Sequence, residues 1–261
     1  MSILGSYNIF SRLMVGFVKS IEIFCITVSE LIIWYEENSD KFSKYSLAFE
    51  NFEEWAEAIN KLIELQFVFT DNLTPDLAHE ICQGENVEEV ITHYYFDNNG
   101  LNMQAVIQRC KDSNCIREYR ELYNQILNAY DKEDYLLACI GLFSLVDGLL
   151  AEYSGMVKET SFKTRLDRIS NKLVCQIELN ENDKKDICIC EAFSRFDCSV
   201  FKKSDFSEDE PQIVNRHWDV HGRSRREHTK IDFLKVFLWL DAVVYLYDKS
   251  TQLKGMSEYS E

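Results

Sequence analysis

Two stretches of this chain, residues 134–153 and 231–247, are apolar on nearly every side of a helix. A soluble helix of that kind must be buried on most of its faces, so the two stretches predict a core of buried helices. Turn formers are scarce, with two prolines and nine glycines among 261 residues, and this scarcity favours long helices over strands. The predicted fold class is therefore all-α.

Helical periodicity extends over most of the remaining chain. Further helices are predicted at residues 11–35, 42–69, 87–96, 101–110, 117–130, 161–173 and 183–196. Thr74 followed by Pro75 is typical of a helix start, and residues 97–100, Asp-Asn-Asn-Gly, are a turn signal. A polar, acidic loop is expected at residues 203–210.

Local signals also bracket the end of the chain. Pro211 is predicted to start a short helix, and Gly222 is well placed to end it. Thr229 and Asp232 have the spacing of a capping box, which predicts that the last long helix begins there.

The composition limits the classes of partner. A net charge of −16 argues against a general nucleic-acid binder, whose footprint would be basic, but it leaves room for an enzyme with a small basic pocket. A loose boundary near residues 112–116 separates an N-terminal helical region of unknown role, residues 1–115, from a C-terminal helical bundle, residues 116–261.

Cysteine usage and the N-terminus predict a cytoplasmic protein. Nine cysteines form no Cys-x-x-Cys pair, and their number is odd, so we expect reduced thiols rather than disulfides or a zinc site. Residues 3–35 look apolar, but Arg12, Lys19, Glu22 and Glu30 interrupt them, so neither a membrane span nor a signal peptide is expected.

The most informative motif is Asn-Arg-His-Trp-Asp-Val-His-Gly at residues 215–222. From Arg216 to Lys230 there are five basic and two acidic residues, a local balance of plus three in an acidic chain. Histidine is the natural acid–base residue near neutral pH, and arginine can make two hydrogen bonds to a phosphate. These residues indicate phosphoryl chemistry on RNA, with the 2′-hydroxyl as an internal nucleophile.

Geometry sets a condition on this site. His217 and His221 are four residues apart and lie near one face of a helix. Arg216 and His221 are ~140° apart on a regular helix, so they converge only if the helix ends or distorts, which Gly222 permits. The two histidines could also hold a metal, but no further ligand cluster is evident, and no metal or cofactor is predicted.

Arg216, four intervening residues, His221 and then Gly222 before an apolar helix resemble the HEPN superfamily of all-helical proteins. Asn215 and His217 flank the arginine, and Asp147 is the lone carboxylate of an apolar helix that resembles the one packing beside the motif in many members. The resemblance covers roughly residues 116–250. It implies an HEPN-like bundle in the C-terminal part with an N-terminal helical extension.

The resemblance also implies a function. Many HEPN proteins are metal-independent endoribonucleases of toxin–antitoxin, abortive-infection or antiviral systems, and they build a composite site at a homodimer interface. Catalytic roles then fall to Arg216, His221, Asn215, His217 and Asp147. We expect an RNA substrate and a homodimer formed through the C-terminal helical domain, where the apolar helix at residues 231–247 has surface to spare for such a contact. An antitoxin or regulatory protein is a further expected partner. The alternative is a catalytically silent member that binds nucleotide, RNA or a protein.

Four further residues are candidate contacts to the RNA backbone: Arg223, Arg225, Arg226 and His228. The competing interpretation is a solvated basic loop. Asp147 is expected either to orient His221 or to pair with Arg216, and a purely structural Arg216–Asp147 ion pair stays open.

Overall fold

The computed structural model describes residues 52–68, 74–155, 165, 200, 206–207 and 209–257. Its helices there are α1 (Phe52–Glu64), α2 (Pro75–Gln83), α3 (Val87–Asp112), α4 (Arg120–Asp131), α5 (Tyr135–Ser154), α6 (Arg216–Val220) and α7 (Lys230–Ser257), with a 3₁₀ turn at Asn114–Ile116. These residues are 76% helical and include no strand, which confirms the all-α prediction. The helices predicted at residues 11–35 and 183–196, the helix predicted at 161–173 apart from residue 165, and half of the loop at 203–210 lie outside them.

Helices α5 and α7 pack against each other at the centre of the molecule, and α4 and α6 also pack on α5. Between residues 233 and 246 every side chain of α7 is buried except Lys235 and Tyr245, which are half-buried. The expectation that this helix has apolar surface to spare for a second copy is therefore wrong. Homodimerisation itself stays a prediction.

Helix α5 buries a narrower face than its composition suggests. Leu142, Phe143 and Val146 are fully buried, whereas Leu137 is 61% exposed. Among the described helices, α5 alone is long and apolar enough to cross a membrane, by length and composition only. The core helix of a soluble protein passes the same test, and α5 packs on three other helices.

The predicted helix starts and the predicted turn are confirmed on the N-terminal side. The Thr74 Oγ1 atom accepts a hydrogen bond from the Leu77 N–H at 3.2 Å and caps α2. Helix α3 is interrupted at residues 97–100, where Asn98, Asn99 and Gly100 have positive φ angles. Asparagine and glycine tolerate that left-handed conformation, so the chain turns between two helical halves.

Charged pairs join the two sides of the predicted boundary at residues 112–116. The Arg109 Nε atom of α3 donates to Asp241 Oδ1 of α7 at 3.0 Å, and Asp241 is fully buried. Lys235 of α7 lies 2.9 Å from Glu88 of α3. Helix α3 thus contacts the same central helix that α5 does. These contacts do not test the domain boundary, which remains a prediction.

Candidate active site

Asn215 determines where the motif helix begins. It has extended backbone dihedrals, and its Oδ1 accepts from the N–H groups of His217 at 3.0 Å and Trp218 at 3.3 Å. Asparagine is among the strongest N-caps, so α6 starts at Arg216. The predicted start at Pro211 is wrong, because residues 211–215 are not helical. Asn215 is buried, with 4% of its surface exposed, and its side-chain oxygen caps the N-terminus of α6.

The helix ends after barely more than one turn, as the glycine predicts. His221 is the C-cap with φ −83° and ψ 5°, and Gly222 has φ +63°. The Arg223 N–H then donates to the Trp218 carbonyl at 2.9 Å, which reverses the chain. The distortion that the Arg-x4-His spacing requires is therefore present.

Four side chains gather at this helix, and we call them the imidazole cluster: His217, His221, Phe206 and Arg223. The ring centroids of the two histidines are 4.8 Å apart, with an interplanar angle of 78°. Phe206 stacks on the His217 ring at 4.4 Å and 1°, and its centroid lies 5.8 Å from that of His221. The Arg223 guanidinium lies over the Phe206 ring, 4.4 Å from its centroid. Two imidazoles and a guanidinium thus share one aromatic support.

Arg216 points to a second group, centred on Asp147 of α5. An Arg216 terminal nitrogen lies 3.8 Å from Asp147 Oδ2, and the Arg165 guanidinium donates to Asp147 Oδ1 at 2.9 Å. Of the two contacts expected for Asp147, the structure therefore shows the one with Arg216. Arg165 is 8% exposed, whereas the side chains of Arg216 and Asp147 are 35% and 38% exposed.

Only part of the predicted RNA-contacting set is accessible. Arg223 and Arg225 are exposed. The Arg226 guanidinium instead makes two hydrogen bonds to Asp232, at 3.0 and 3.1 Å, and its side chain is 14% exposed. Arg226 therefore fixes the start of α7, so the expectation of an RNA contact does not agree with its position.

His228 is buried as well. Its Nε2 lies 3.1 Å from Asp219 Oδ1, and each of these side chains is 1% exposed. The pair connects α6 to the segment before α7. His228 cannot reach an RNA backbone from there, which corrects the prediction made from its place in a basic stretch.

Glu210 is a further carboxylate that holds the loop after Gly222. Glu210 accepts hydrogen bonds from Ser224 Oγ at 2.5 Å and from the Arg225 N–H at 2.8 Å. Burial acts to raise the pKa of Glu210, but these bonds outweigh it and keep the pKa below its usual value of 4.5. A charged Glu210 therefore keeps this loop beside the imidazole cluster.

Sequence reasoning missed Phe206, Arg165 and Glu210. Phe206 and Glu210 lie in a stretch predicted only as a polar, acidic loop, where a lone aromatic was the available signal. Arg165 lies in a predicted helix far from the motif, and no local pattern connects it with Asp147.

The four cysteines among the described residues carry no sign of chemistry. Cys82, Cys110, Cys115 and Cys139 are free thiols. Burial raises the pKa of Cys139 well above the usual value of 9.0, and the Asp219 carboxylate adds to this. Burial likewise raises the pKa of Cys115 to about 11. These groups stay protonated at neutral pH and are poor nucleophiles.

Among the described residues, no three histidine, cysteine, aspartate or glutamate side chains converge on a point that could hold a metal ion. Comparison with family models, with curated proteins and with solved structures finds no match for this chain. The fold and site define an all-α protein with paired imidazoles beside arginine side chains, and the HEPN resemblance stays a prediction.

Proposed function

We propose that this protein is a metal-independent endoribonuclease of HEPN type, acting in the cytoplasm in antiviral defence or in a toxin–antitoxin or abortive-infection system. The observation that carries the proposal is the contact between the His217 and His221 rings, 4.8 Å apart, at the end of the helix that begins with Arg216. The proposal assigns acid–base chemistry to the imidazoles and phosphate binding to Arg216.

The chemistry suits RNA. A neutral imidazole takes the proton of the 2′-hydroxyl, a protonated one supplies the proton of the 5′-oxygen, and a guanidinium stabilises the charge that develops on the phosphate. Asp147 orients Arg216, and the exposed Arg223 and Arg225 bind flanking phosphates. DNA lacks the 2′-hydroxyl and resists this reaction.

A second candidate is a catalytically silent HEPN-like module that binds nucleotide, RNA or a protein partner such as an antitoxin. Its support is that Asn215 is used as a helix cap and that Arg216 lies next to the Asp147 carboxylate. Both residues then stabilise the fold, and the exposed arginines bind a ligand that is never cleaved.

RNA cleavage in the presence of a chelator separates the two candidates. Wild-type protein is incubated with total RNA beside Arg216→Ala and His221→Ala. General acid–base groups contribute roughly 10²–10⁴-fold, so His221→Ala is expected to reduce cleavage at least a hundredfold.

Matched controls are His93→Ala and Arg117→Ala, which remove exposed side chains of the same types on other parts of the chain. Both should cleave as the wild type does. RNA binding by a wild-type protein that leaves the RNA intact would favour the silent module, and cleavage that survives both motif substitutions would contradict the proposed enzyme.

A further inference from the structure

We infer that the Arg223 guanidinium and the Phe206 ring on which it lies bind one unpaired nucleobase of the RNA strand by stacking. We call these two groups the base platform. The inference rests on the proposed ribonuclease function, which makes that strand the substrate, and deepens it. It adds a base contact to the phosphate contacts already assigned to Arg223.

Phe206 supports two groups of the site at once. The His217 ring stacks on it with centroids 4.4 Å apart and an interplanar angle of 1°. The Arg223 Cζ atom lies over the same Phe206 ring, also 4.4 Å from its centroid. A cation over an aromatic face is attracted by the negative charge of that face. This attraction holds the guanidinium against a flat, apolar support beside the His217 imidazole.

The backbone around Arg223 is fixed as well. Its N–H and that of Ser224 donate to the Trp218 carbonyl at 2.9 and 3.2 Å. The Arg225 N–H donates to Glu210 Oε2 at 2.8 Å. The Arg223 side chain therefore leaves a constrained loop, and less conformational freedom is lost when a ligand binds it, which favours affinity.

The platform is open to solvent, unlike the other arginine of this loop that has a defined contact. Arg226 is held by its hydrogen-bonding edge on the Asp232 carboxylate, and its side chain is 14% exposed. Arg223 is exposed and is held over a ring instead. Beside it, a Cβ atom on Gly222 would have no atom of the described residues within 4 Å. A planar ligand therefore has room to approach the Arg223 guanidinium.

A nucleobase is the part of RNA that suits such a surface. Unpaired bases of RNA stack on aromatic rings and on arginine guanidinium planes, and every base has a π-face, so this contact tolerates any sequence. The N–H groups of a guanidinium lie in its plane. Its face therefore stacks on a base while its edge donates to the adjacent phosphate.

The position of the platform determines which nucleotide it contacts. The Phe206 centroid lies 5.8 Å from that of His221, and Arg223 follows His221 by two residues. A base on the platform therefore belongs to a nucleotide beside the phosphate that the imidazoles are proposed to attack. The platform would place the strand along the imidazole cluster.

Binding of two oligonucleotides that lack the 2′-hydroxyl tests the inference without cleavage. One is a single-stranded RNA of mixed sequence with fluorine in place of every 2′-hydroxyl, and the other is the same backbone without bases. Both have the same number of phosphates, so the ratio of their dissociation constants measures what the bases contribute. Fluorescence anisotropy gives this ratio for the wild type, Arg223→Lys and Arg225→Lys.

The two lysine variants form a matched pair, because lysine keeps the charge and removes the planar group, and both arginines are exposed in one loop. One stacked base contributes roughly 5–150-fold in affinity, so Arg223→Lys should reduce the ratio at least about fivefold. Arg225→Lys should leave the ratio as it is in the wild type. The dependence of binding on salt should be the same in all three proteins, since their charge is equal.

The outcomes separate the inference from the proposed function. Equal ratios for the two lysine variants, or a wild type that binds both oligonucleotides alike or neither of them, would overturn the base platform, even if the protein cleaves RNA in chelator. A base-dependent wild type that loses this dependence with Arg223→Lys but cleaves no RNA would contradict the proposed enzyme and leave the platform standing. Thermal unfolding checks that both lysine variants fold.

Discussion

Single residues of the motif serve the fold and the site at once. Asn215 was predicted as a catalytic neighbour of Arg216, yet its side-chain oxygen accepts two backbone hydrogen bonds of α6. The sequence predicts that His228 and Arg226 bind RNA, yet each lies beside a carboxylate and has a side chain of low exposure. Residue type at a given spacing predicts chemistry, and it does not reveal which side chains the fold has already used.

Asn215 offers a test of this dual use. Asn215→Ala should lower the free energy of unfolding by about 0.5–2 kcal/mol, because the N-cap oxygen is lost. Asn215→Ser keeps a capping oxygen and should stay near wild-type stability and RNA cleavage. Chemical denaturation and the cleavage assay measure both. A serine variant that is stable but inactive would show that the amide acts on the substrate.

Asp232 offers a test by pH. Burial acts to raise its pKa, but hydrogen bonds from Arg226 and Thr229 outweigh this and hold the pKa below the usual 3.8. A carboxylate whose folded pKa is lowered stabilises the fold above its unfolded pKa, and that stability is lost as the pH falls through the folded pKa.

Asp232→Asn removes the carboxylate that pairs with Arg226, so it should destabilise the protein near pH 7 by about 1–3 kcal/mol. Near pH 3 the loss should be smaller, because the wild type has already lost part of this stability. Urea unfolding at both pH values measures the difference. Asp131→Asn, an exposed carboxylate on α4, is the control and should change little at either pH. An equal loss at both pH values would contradict the ionic role of Asp232.

At the scale of elements, the contact between α4 and α5 depends on a close approach at Gly141. A Cβ atom there would lie 2.6 Å from Cγ1 of Ile126, a side chain that is 2% exposed and enclosed by the core. At Gly148 the nearest atom is the Tyr119 hydroxyl at 3.2 Å, at the far end of its side chain. The two glycines of one helix therefore differ in their tolerance of a methyl group.

Gly141→Ala should destabilise the protein by about 1–3 kcal/mol, because an overpacked core must shift. Gly148→Ala should be neutral or slightly stabilising, since alanine is favoured over glycine in a helix by roughly 1 kcal/mol and the tyrosine ring can move. Denaturant unfolding of both variants measures this contrast, and equal stabilities would mean that α4 is free to slide along α5.

At the scale of the whole molecule, the pair between Arg109 and Asp241 joins the N-terminal helices to the central helix α7. Asp241 is fully buried, so removing its partner leaves a charge without compensation. Arg109→Met should destabilise the protein by about 3–5 kcal/mol, whereas Arg109→Met combined with Asp241→Leu should lose far less.

The unfolding curves of these variants also test the boundary predicted at residues 112–116. One cooperative transition, lowered by Arg109→Met as a whole, is expected if the described helices on both sides form one folding unit. Two separate transitions would show that the boundary divides independent domains.

Sequence alone determined the helical class, the turn at residues 97–100, the Thr74 cap and the helix end at Gly222. It also determined the capping box of Thr229 and Asp232, in which each side chain accepts a hydrogen bond from the other residue's backbone N–H, at 3.3 and 2.8 Å. These features follow from periodicity and from hydrogen bonds between residues close in the chain, and local sequence contains that information. Only the tertiary structure decided that Phe206 supports His217, that Arg165 shares Asp147 with Arg216, and which of the basic residues stay exposed. Such contacts depend on the path of the whole chain, because burial and ion pairing are set by residues far apart in sequence.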